Sequence, residues 1–233
     1  MNQIDHFLTS DAELAKTHVQ RLKFSPKEII YTNEKVHLRN NFVLIKDGIV
    51  SLELYHKGKW QFTTFLTPGD CAGIDNFLTP KKTNYTPSKF KLTGATNGEI
   101  ISVEKDYFLN HFYANPKLFT IILEKLALHY MYASYNSHEK NARLCQRMAD
   151  VTLEFIALTD FRVNENTVIF PYPISAKMFS TYLKAPLSAV SEVLRIWEEE
   201  NILISTSDNL LITDYKKLLS FSKMTYLIDE VLV

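Results

Sequence analysis

Eight side chains between residues 177 and 195 have the chemistry to read a DNA duplex. Leu187 and Ala189 can touch a thymine methyl, Ser188 can donate to or accept from either type of base, and Glu192 can accept from a cytosine amino group. Ser191 lies on the same helical surface, and Lys177, Lys184 and Arg195 are spaced to hold phosphates. All eight fall in ISAKMFSTYLKAPLSAVSEVLRIW, residues 174–197. The stretch predicts a short helix ending near Lys184, a break at Pro186, and a second helix from Leu187. With Ala176 as the first position, the inward sites of two crossed helices fall on Phe179, Leu183, Ala185, Val190 and Val193, all apolar. The closest crossing needs a small residue and has Ser180, and Ser175 is a suitable N-cap. Lys184 stands at the turn position that favours glycine, where a left-handed backbone costs about 1 kcal/mol. A helical hairpin that never meets DNA satisfies the same packing, so both readings stand on this stretch alone.

No other constellation competes. The seven histidines (6, 18, 37, 56, 111, 129 and 138) are scattered, without the His-x-His and carboxylate cluster of a metal cupin. There is no nucleophile beside a base and no glycine-rich phosphate loop, so an enzyme is not expected. Cys71 and Cys145 form no CxxC and are too few for a cluster or a zinc site; no metal site is expected, and buried inert thiols are the commoner state. The start, MNQIDHFLTSDAELAK, lacks a basic segment followed by an apolar one, and the apolar run 118–133 is broken by Glu124, Lys125 and His129. A cytoplasmic protein without membrane contact is the expectation. Net charge is zero, so DNA affinity must come from local placement. Residues 141–233 carry nine Lys or Arg and twelve Asp or Glu, a difference of −3, which predicts weak binding to DNA of unrelated sequence.

The elements that must position these residues change character midway. All six glycines (48, 58, 69, 73, 94 and 98) precede residue 100. NFVLIKDGIVSLELY (41–55) reads as a hairpin around Lys-Asp-Gly, HKG (56–58) turns into KWQFTTFL (59–66), and TPGD (67–70) turns again. KFKLTGA (89–95) and EIISVE (99–104) follow. Short strands at this spacing predict an antiparallel roll or barrel. Residues 114–142 then read as one long helix, with Asn115 as N-cap and Pro116 at its first position. Its apolar residues run nearly all round. The stripe Phe119, Ile122, Leu126, His129 and Ala133 can serve burial within one chain or a homodimer seam; a polar His129 resembles a register-setting residue and points to the homodimer. After a polar hinge at 137–141 come a helix (142–159), a strand (166–174), the helix pair, two strands around Ser207-Asp208-Asn209, and an amphipathic tail (215–233) with Leu218, Leu219, Met224, Leu227, Ile228 and Val231 on one face. That order is the order of a winged helix-turn-helix.

The layout over roughly residues 20–214 resembles the Crp/Fnr family of bacterial transcription regulators. The resemblance is carried by IKDGIVSL (45–52), LTPGDCAGI (66–74), KLTGAT (91–96), EIISVEKDYF (99–108), ANPKLF (114–119) and ISAKMFSTYLKAPLSAVSEVLRIWEEENIL (174–203). It implies an α+β chain with a cyclic-nucleotide-binding-like β-roll (1–113), a long dimerisation helix and hinge (114–140), and a C-terminal winged helix-turn-helix with a helical extension (141–233). It further implies a homodimer on near-palindromic double-stranded promoter DNA, with RNA polymerase as a possible partner. By position, an effector pocket would draw on Cys71, Gly73, Ile74, Ser88, Tyr130 and Ser134.

Departures from the family pattern are equally specific. Cyclic-AMP-binding members have Gly-Glu after the Gly-Asp turn and Arg-Ser later; here Gly73 is followed by Ile74, and the later pair is Pro87-Ser88. A buried cyclic phosphate without that Arg lacks a partner, so cyclic AMP is not the expected effector, and no cofactor is identified. Many members have Arg where this chain has Glu192. The alternative is a ligand- or protein-binding module whose helix-turn-helix does not bind DNA.

Overall fold

The computed structural model describes residues 2–10, 12–34, 40–77, 88–138, 142–159, 166–170, 172, 174–205 and 210–222. The chain divides into two compact units, Met1–Leu128 and His129–Val233.

The first unit begins with α1 (Asn2–Leu8) and α2 (Ala12–His18). It continues through β1 (Val19–Phe24), β2 (Ile29–Thr32), β3 (Asn41–Asp47), β4 (Val50–His56), β5 (Lys59–Leu66), β6 (Cys71–Ala72), a 3-10 turn (Ile74–Phe77), β7 (Phe90–Gly94) and β8 (Gly98–Glu104). Then come α3 (Lys105–Ala114) and the start of α4 (Lys117–His138). The strands form two antiparallel sheets, ordered β1-β8-β3-β6 and β2-β7-β4-β5. One apolar cluster lies between the sheets: Phe24, Val43, Ile45, Val50, Leu66, Phe90, Leu92 and Ile100 are among its members. A second lies between the first sheet and the helices, with Phe42, Leu44, Ile101 and Val103 against Ile4, Leu8, Phe108, Phe112 and Ile122. Adjacent residues of β3 therefore serve opposite cores, which is why NFVLI is an unbroken apolar run rather than an alternating one.

The hairpin expected over 41–55 does not form. β3 pairs with β8 and β6, whereas β4 pairs with β5 and β7, so the Asp47-Gly48 turn is a corner between sheets. The 96–98 turn is stitched onto that corner: Ile49 N donates to Thr96 Oγ1 at 2.8 Å and Ala95 N donates to Ile49 O at 2.9 Å. Gly48 has φ +79°, and a Cβ there would lie 2.3 Å from the Asn97 carbonyl oxygen. The β4–β5 turn does form a tight hairpin, with φ positive at both Lys57 (49°) and Gly58 (82°). Six elements of this unit lie outside the sequence expectation: α1, α2, β1, β2, β6 and α3. An alternating ion network holds α1 to the sheet. Arg21 and Lys46 pair with Asp5 at 2.6 and 3.4 Å, and Lys46 also pairs with Glu99 at 3.2 Å. Asn115 closes α3, its N–H donating to His111 O at 3.1 Å, before α4 starts.

The second unit holds the rest of α4 and then α5 (Leu144–Thr159), β9 (Val168–Ile169), α6 (Ala176–Leu183), α7 (Leu187–Glu199), β10 (Leu203–Ser205), β11 (Leu210–Ile212) and α8 (Tyr215–Phe221). β10, β11 and β9 form one antiparallel sheet. Of the strand expected over 166–174, the described residues form only Val168–Ile169. Its core includes Phe155, Phe179, Val190, Trp197, Ile202, Ile212 and Leu218, all at most 2% exposed. Asp214 caps α8 by accepting from Lys217 N at 2.9 Å, and Ser222 Oγ donates to Asp150 at 2.5 Å just beyond it. His37, Pro87, part of the expected hinge, the wing tip Ser207-Asp208-Asn209 and the tail beyond Ser222 lie outside the described residues.

Candidate nucleic-acid interface

The α6–α7 pair is built from its ends inward. Ser175 Oγ accepts from Met178 N at 3.3 Å and so caps α6. The helix stops because Lys184 adopts a left-handed backbone, φ 52° and ψ 42°, the conformation that releases the chain from a helix C-terminus. Ser180 does two things there. It is small enough for the crossing, and its hydroxyl donates to Ala185 O at 2.8 Å, closing the turn. Arg147 from α5 donates to Leu183 O at 2.6 Å, satisfying a carbonyl that the helix end leaves open. Tyr182 donates to the buried Glu154 carboxylate at 2.7 Å. Of the five expected inward positions, Phe179, Leu183 and Val190 are buried and Ala185 and Val193 half-buried; Leu194 and Trp197 join them.

The outer surface carries the polar chemistry. Leu187 is 48% exposed. Ser188, Ser191, Glu192, Arg195, Lys177 and Lys184 are also exposed, and Ala189 is half-buried. Ser188 follows directly on the α7 N-terminus, where backbone N–H groups are unspent. Arg195 is not free. Its Nη2 and Nε donate to the two oxygens of Glu192 at 2.6 and 3.1 Å, and its Nη1 donates to Glu199. The hydrogen bonds and charge of Arg195 hold the Glu192 carboxyl below the usual carboxylate range, and Glu192 in turn strengthens Arg195's hold on its proton. The one basic side chain of α7 therefore sits between two acids.

The other expected residues are distributed as follows. Within the first unit, Cys71 and Ile74 pack against the cluster beneath the helices. Gly73 takes φ +80°. Ser88 donates its N–H to Asp75 at 2.8 Å and accepts at its carbonyl from Asn33 at 2.8 Å. Burial, and then the charge of Asp70, push the Cys71 thiol up to about 12, which makes a reactive thiolate unfavourable. Tyr130 and Ser134 belong to the second unit, Tyr130 being 75% exposed. Along α4, Ile122 is 5% exposed, and Phe119 and Leu126 pack with it in the first unit's own core. His129 is half-buried and Ala133 exposed. Among its described side chains, the large apolar ones that α4 leaves open are Leu123, Tyr130 and Met131. Arg147 and Glu154, which fix the helix pair from α5, are not among the residues expected from sequence. They act over 36 and 28 residues, and no local pattern marks them.

Among the described residues no helix is long and apolar enough to cross a membrane, and no group of His, Cys, Asp or Glu is placed to hold a metal ion. No protein-family model and no curated protein matches the sequence. Solved structures do match the fold. A cyclic nucleotide-binding domain containing protein from Listeria monocytogenes EGD-e is 16% identical with a TM-score of 0.69, over 93% of this chain and 98% of that one. A CooA mutant from Carboxydothermus hydrogenoformans is 18% identical with a TM-score of 0.61, over 90% and 89%. A transcriptional regulator of the CRP/FNR family from Thermus thermophilus is 17% identical with a TM-score of 0.58, over 87% and 97%. The chain thus has the fold of the CRP/FNR regulators, a β-roll followed by a helix-turn-helix unit.

Proposed function

We propose that the protein is a dimeric, sequence-specific DNA-binding transcription regulator of the CRP/FNR type. The observation that carries this reading is the α6–α7 pair: two crossed helices with a left-handed Lys184 between them and hydrogen-bonding side chains exposed at the start of the second. In a dimer, two α7 helices about 34 Å apart would enter successive major grooves of a near-palindromic promoter site. Leu187, Ser188 and Ala189 would meet base edges first, with Ser191 and Glu192 deeper along the helix and Lys177 and Lys184 on phosphates. Of the stripe Phe119, Ile122, Leu126, His129 and Ala133 expected at the seam, the first three pack against the protomer's own core, so α4 would supply the seam through His129 and Ala133 together with its open residues Leu123, Tyr130 and Met131. The division of labour is a sensing roll (1–113), a dimerisation helix and hinge (114–140) and a DNA-binding unit (141–233), working in the cytoplasm of a bacterium and addressing RNA polymerase. In this reading Ser188–Ser191 and the chain after the wing resemble, as motifs, those of the listerial virulence activator, positive regulatory factor A.

The effector, where there is one, is not cyclic AMP. In the sequence, Ile74 and Pro87 occupy the positions at which the resemblance would put the ribose and phosphate partners, and Ile74 packs against the apolar cluster. One observation favours a module that has lost DNA binding: Arg195 is neutralised by Glu192 and Glu199. Gel-shift assays on the upstream regions of the protein's own operon separate the two. Retardation of a defined promoter fragment by intact dimer is expected; no retarded fragment at low salt, with the dimer intact, refutes the regulator.

A further inference from the structure

The inner face of the β1-β8-β3 sheet changes chemistry along its length, in step on adjacent strands. At one level Leu22, Ile100 and Ile45 are in register, and all are apolar. One pleat further, Gln20, Ser102 and Val43 are in register; one pleat beyond that, Asn41 is paired with Glu104. Residues two apart on a strand share a face, so this is a single surface passing from core to polar wall. Where it turns polar a cavity of about 520 Å³ opens, lined also by Lys16, His18 and Asn40. That volume lies within the range of sites for small organic molecules.

The hydrogen-bonding state of the wall selects the ligand. Its charges are already matched. Glu104 accepts from His18 Nδ1 at 2.5 Å, the His18 ring is stacked 4.9 Å from Tyr107, and Lys16 donates to Glu13 at 2.7 Å. An ionic ligand would have to break one of these pairs to gain a Coulombic partner. The floor is a buried hydroxyl: Ser102, 1% exposed, accepts from Asn41 Nδ2 at 3.0 Å and donates to Tyr31. The side-chain carboxamides of Gln20 and Asn40 have no hydrogen-bond partner among the described residues. A carboxamide offers an acceptor and two donors in one plane, which suits neighbouring hydroxyl groups that each donate and accept. We propose that this cavity binds a neutral polyhydroxylated molecule, a sugar or polyol, through Gln20, Asn40, Asn41 and Ser102. Such a ligand uses the unspent amides and leaves the His18–Glu104 pair intact. The site is independent of the DNA-binding reading.

The test is a titration of the full chain, followed by ¹⁵N NMR of side-chain amides. Maltose and myo-inositol are the neutral probes, and sodium acetate and glycine betaine the charged ones. The Gln20, Asn40 and Asn41 amides are expected to shift saturably with a neutral probe and not with the charged ones. Gln20→Ala and Asn40→Ala change exposed side chains and should leave the fold intact; each is expected to weaken binding about tenfold, equivalent to about 1.4 kcal/mol. No saturable shift with either polyol overturns the site. Equal shifts with acetate or betaine overturn the ligand class. Unchanged affinity in both variants overturns the assigned contacts.

Discussion

Arg195 is the side chain through which the DNA-binding reading is most directly challenged. Glu192 and Glu199 both hold it, at side-chain exposures of 54 to 61%. Replacing both acids with Gln leaves the guanidinium without a carboxylate and changes the charge of residues 141–233 from −3 to −1. If the clamp withholds Arg195 from DNA, the double variant neutralises one more phosphate per protomer. The logarithm of affinity then falls more steeply with the logarithm of salt, by ~0.9 per phosphate and ~1.8 for a dimer. Over a fourfold rise in salt that is about a twelvefold greater loss of affinity. Fluorescence anisotropy on a random-sequence duplex at stepped NaCl concentrations measures the slope directly, and circular dichroism checks that the fold is unchanged. Arg195→Ala in the otherwise native chain is the control and is expected to leave the slope on random DNA unaltered. An unchanged slope in E192Q/E199Q, or a slope reduced by ~0.9 per protomer in Arg195→Ala alone, refutes the clamp.

Two further outcomes test the first unit. Gly58 and Gly48 share a positive φ, but a Cβ at Gly58 meets nothing within 4 Å while one at Gly48 lies 2.3 Å from Asn97 O. Gly58→Ala should therefore cost only the left-handed strain, about 1 kcal/mol, and Gly48→Ala at least ~2 kcal/mol more; equal urea midpoints would contradict the corner geometry. The Cys71 thiol is raised from its ordinary 9.0 to about 12, so well below pH 9 it is neutral in both folded and unfolded chains. Between pH 9 and 12 the unfolded thiol ionises first, and stability falls by at most about 1.4 kcal/mol per pH unit, a loss that Cys71→Ala should remove from the alkaline side of a urea-midpoint profile.

The helix-turn-helix is legible because nearly every requirement of two crossed helices leaves a local mark. Small Ser180 sits at the crossing, Ser175 at the cap, and apolar residues at Phe179, Leu183 and Val190. The left-handed turn expected at Lys184, despite its side chain, is the one it adopts. The roll is only partly legible. The Lys57-Gly58 turn declares its hairpin, but Asp47-Gly48 has the same local form and is a corner. The difference is made by β8, about 50 residues away, which pairs with β3 and leaves β4 to β7. Helix α1 is seven residues long and is held by Asp5 against Arg21 and Lys46, contacts with no period to read. In α4 the apolar pattern runs all round, so the pattern alone does not say which face the protomer's own core uses. Phe119, Ile122 and Leu126 take that role.

The same contrast separates fold from specificity. The groups that fix the α6–α7 geometry point inward or close the turn: Phe179, Val190, the Ser180 hydroxyl, and Arg147 on the Leu183 carbonyl. The groups that would discriminate bases point outward, and none of them contributes to that packing: Ser188, Ser191 and Glu192 are exposed, and Glu192 bonds only to Arg195 among the described residues. Changing Glu192 therefore leaves the helix pair standing. For that reason a TM-score of 0.69 at 16% identity speaks for the helix pair and not for what its outer face contacts. Shared fold transmits the inner packing of the pair, whereas the base preference of the proposed regulator would have to be read from this chain's own α7.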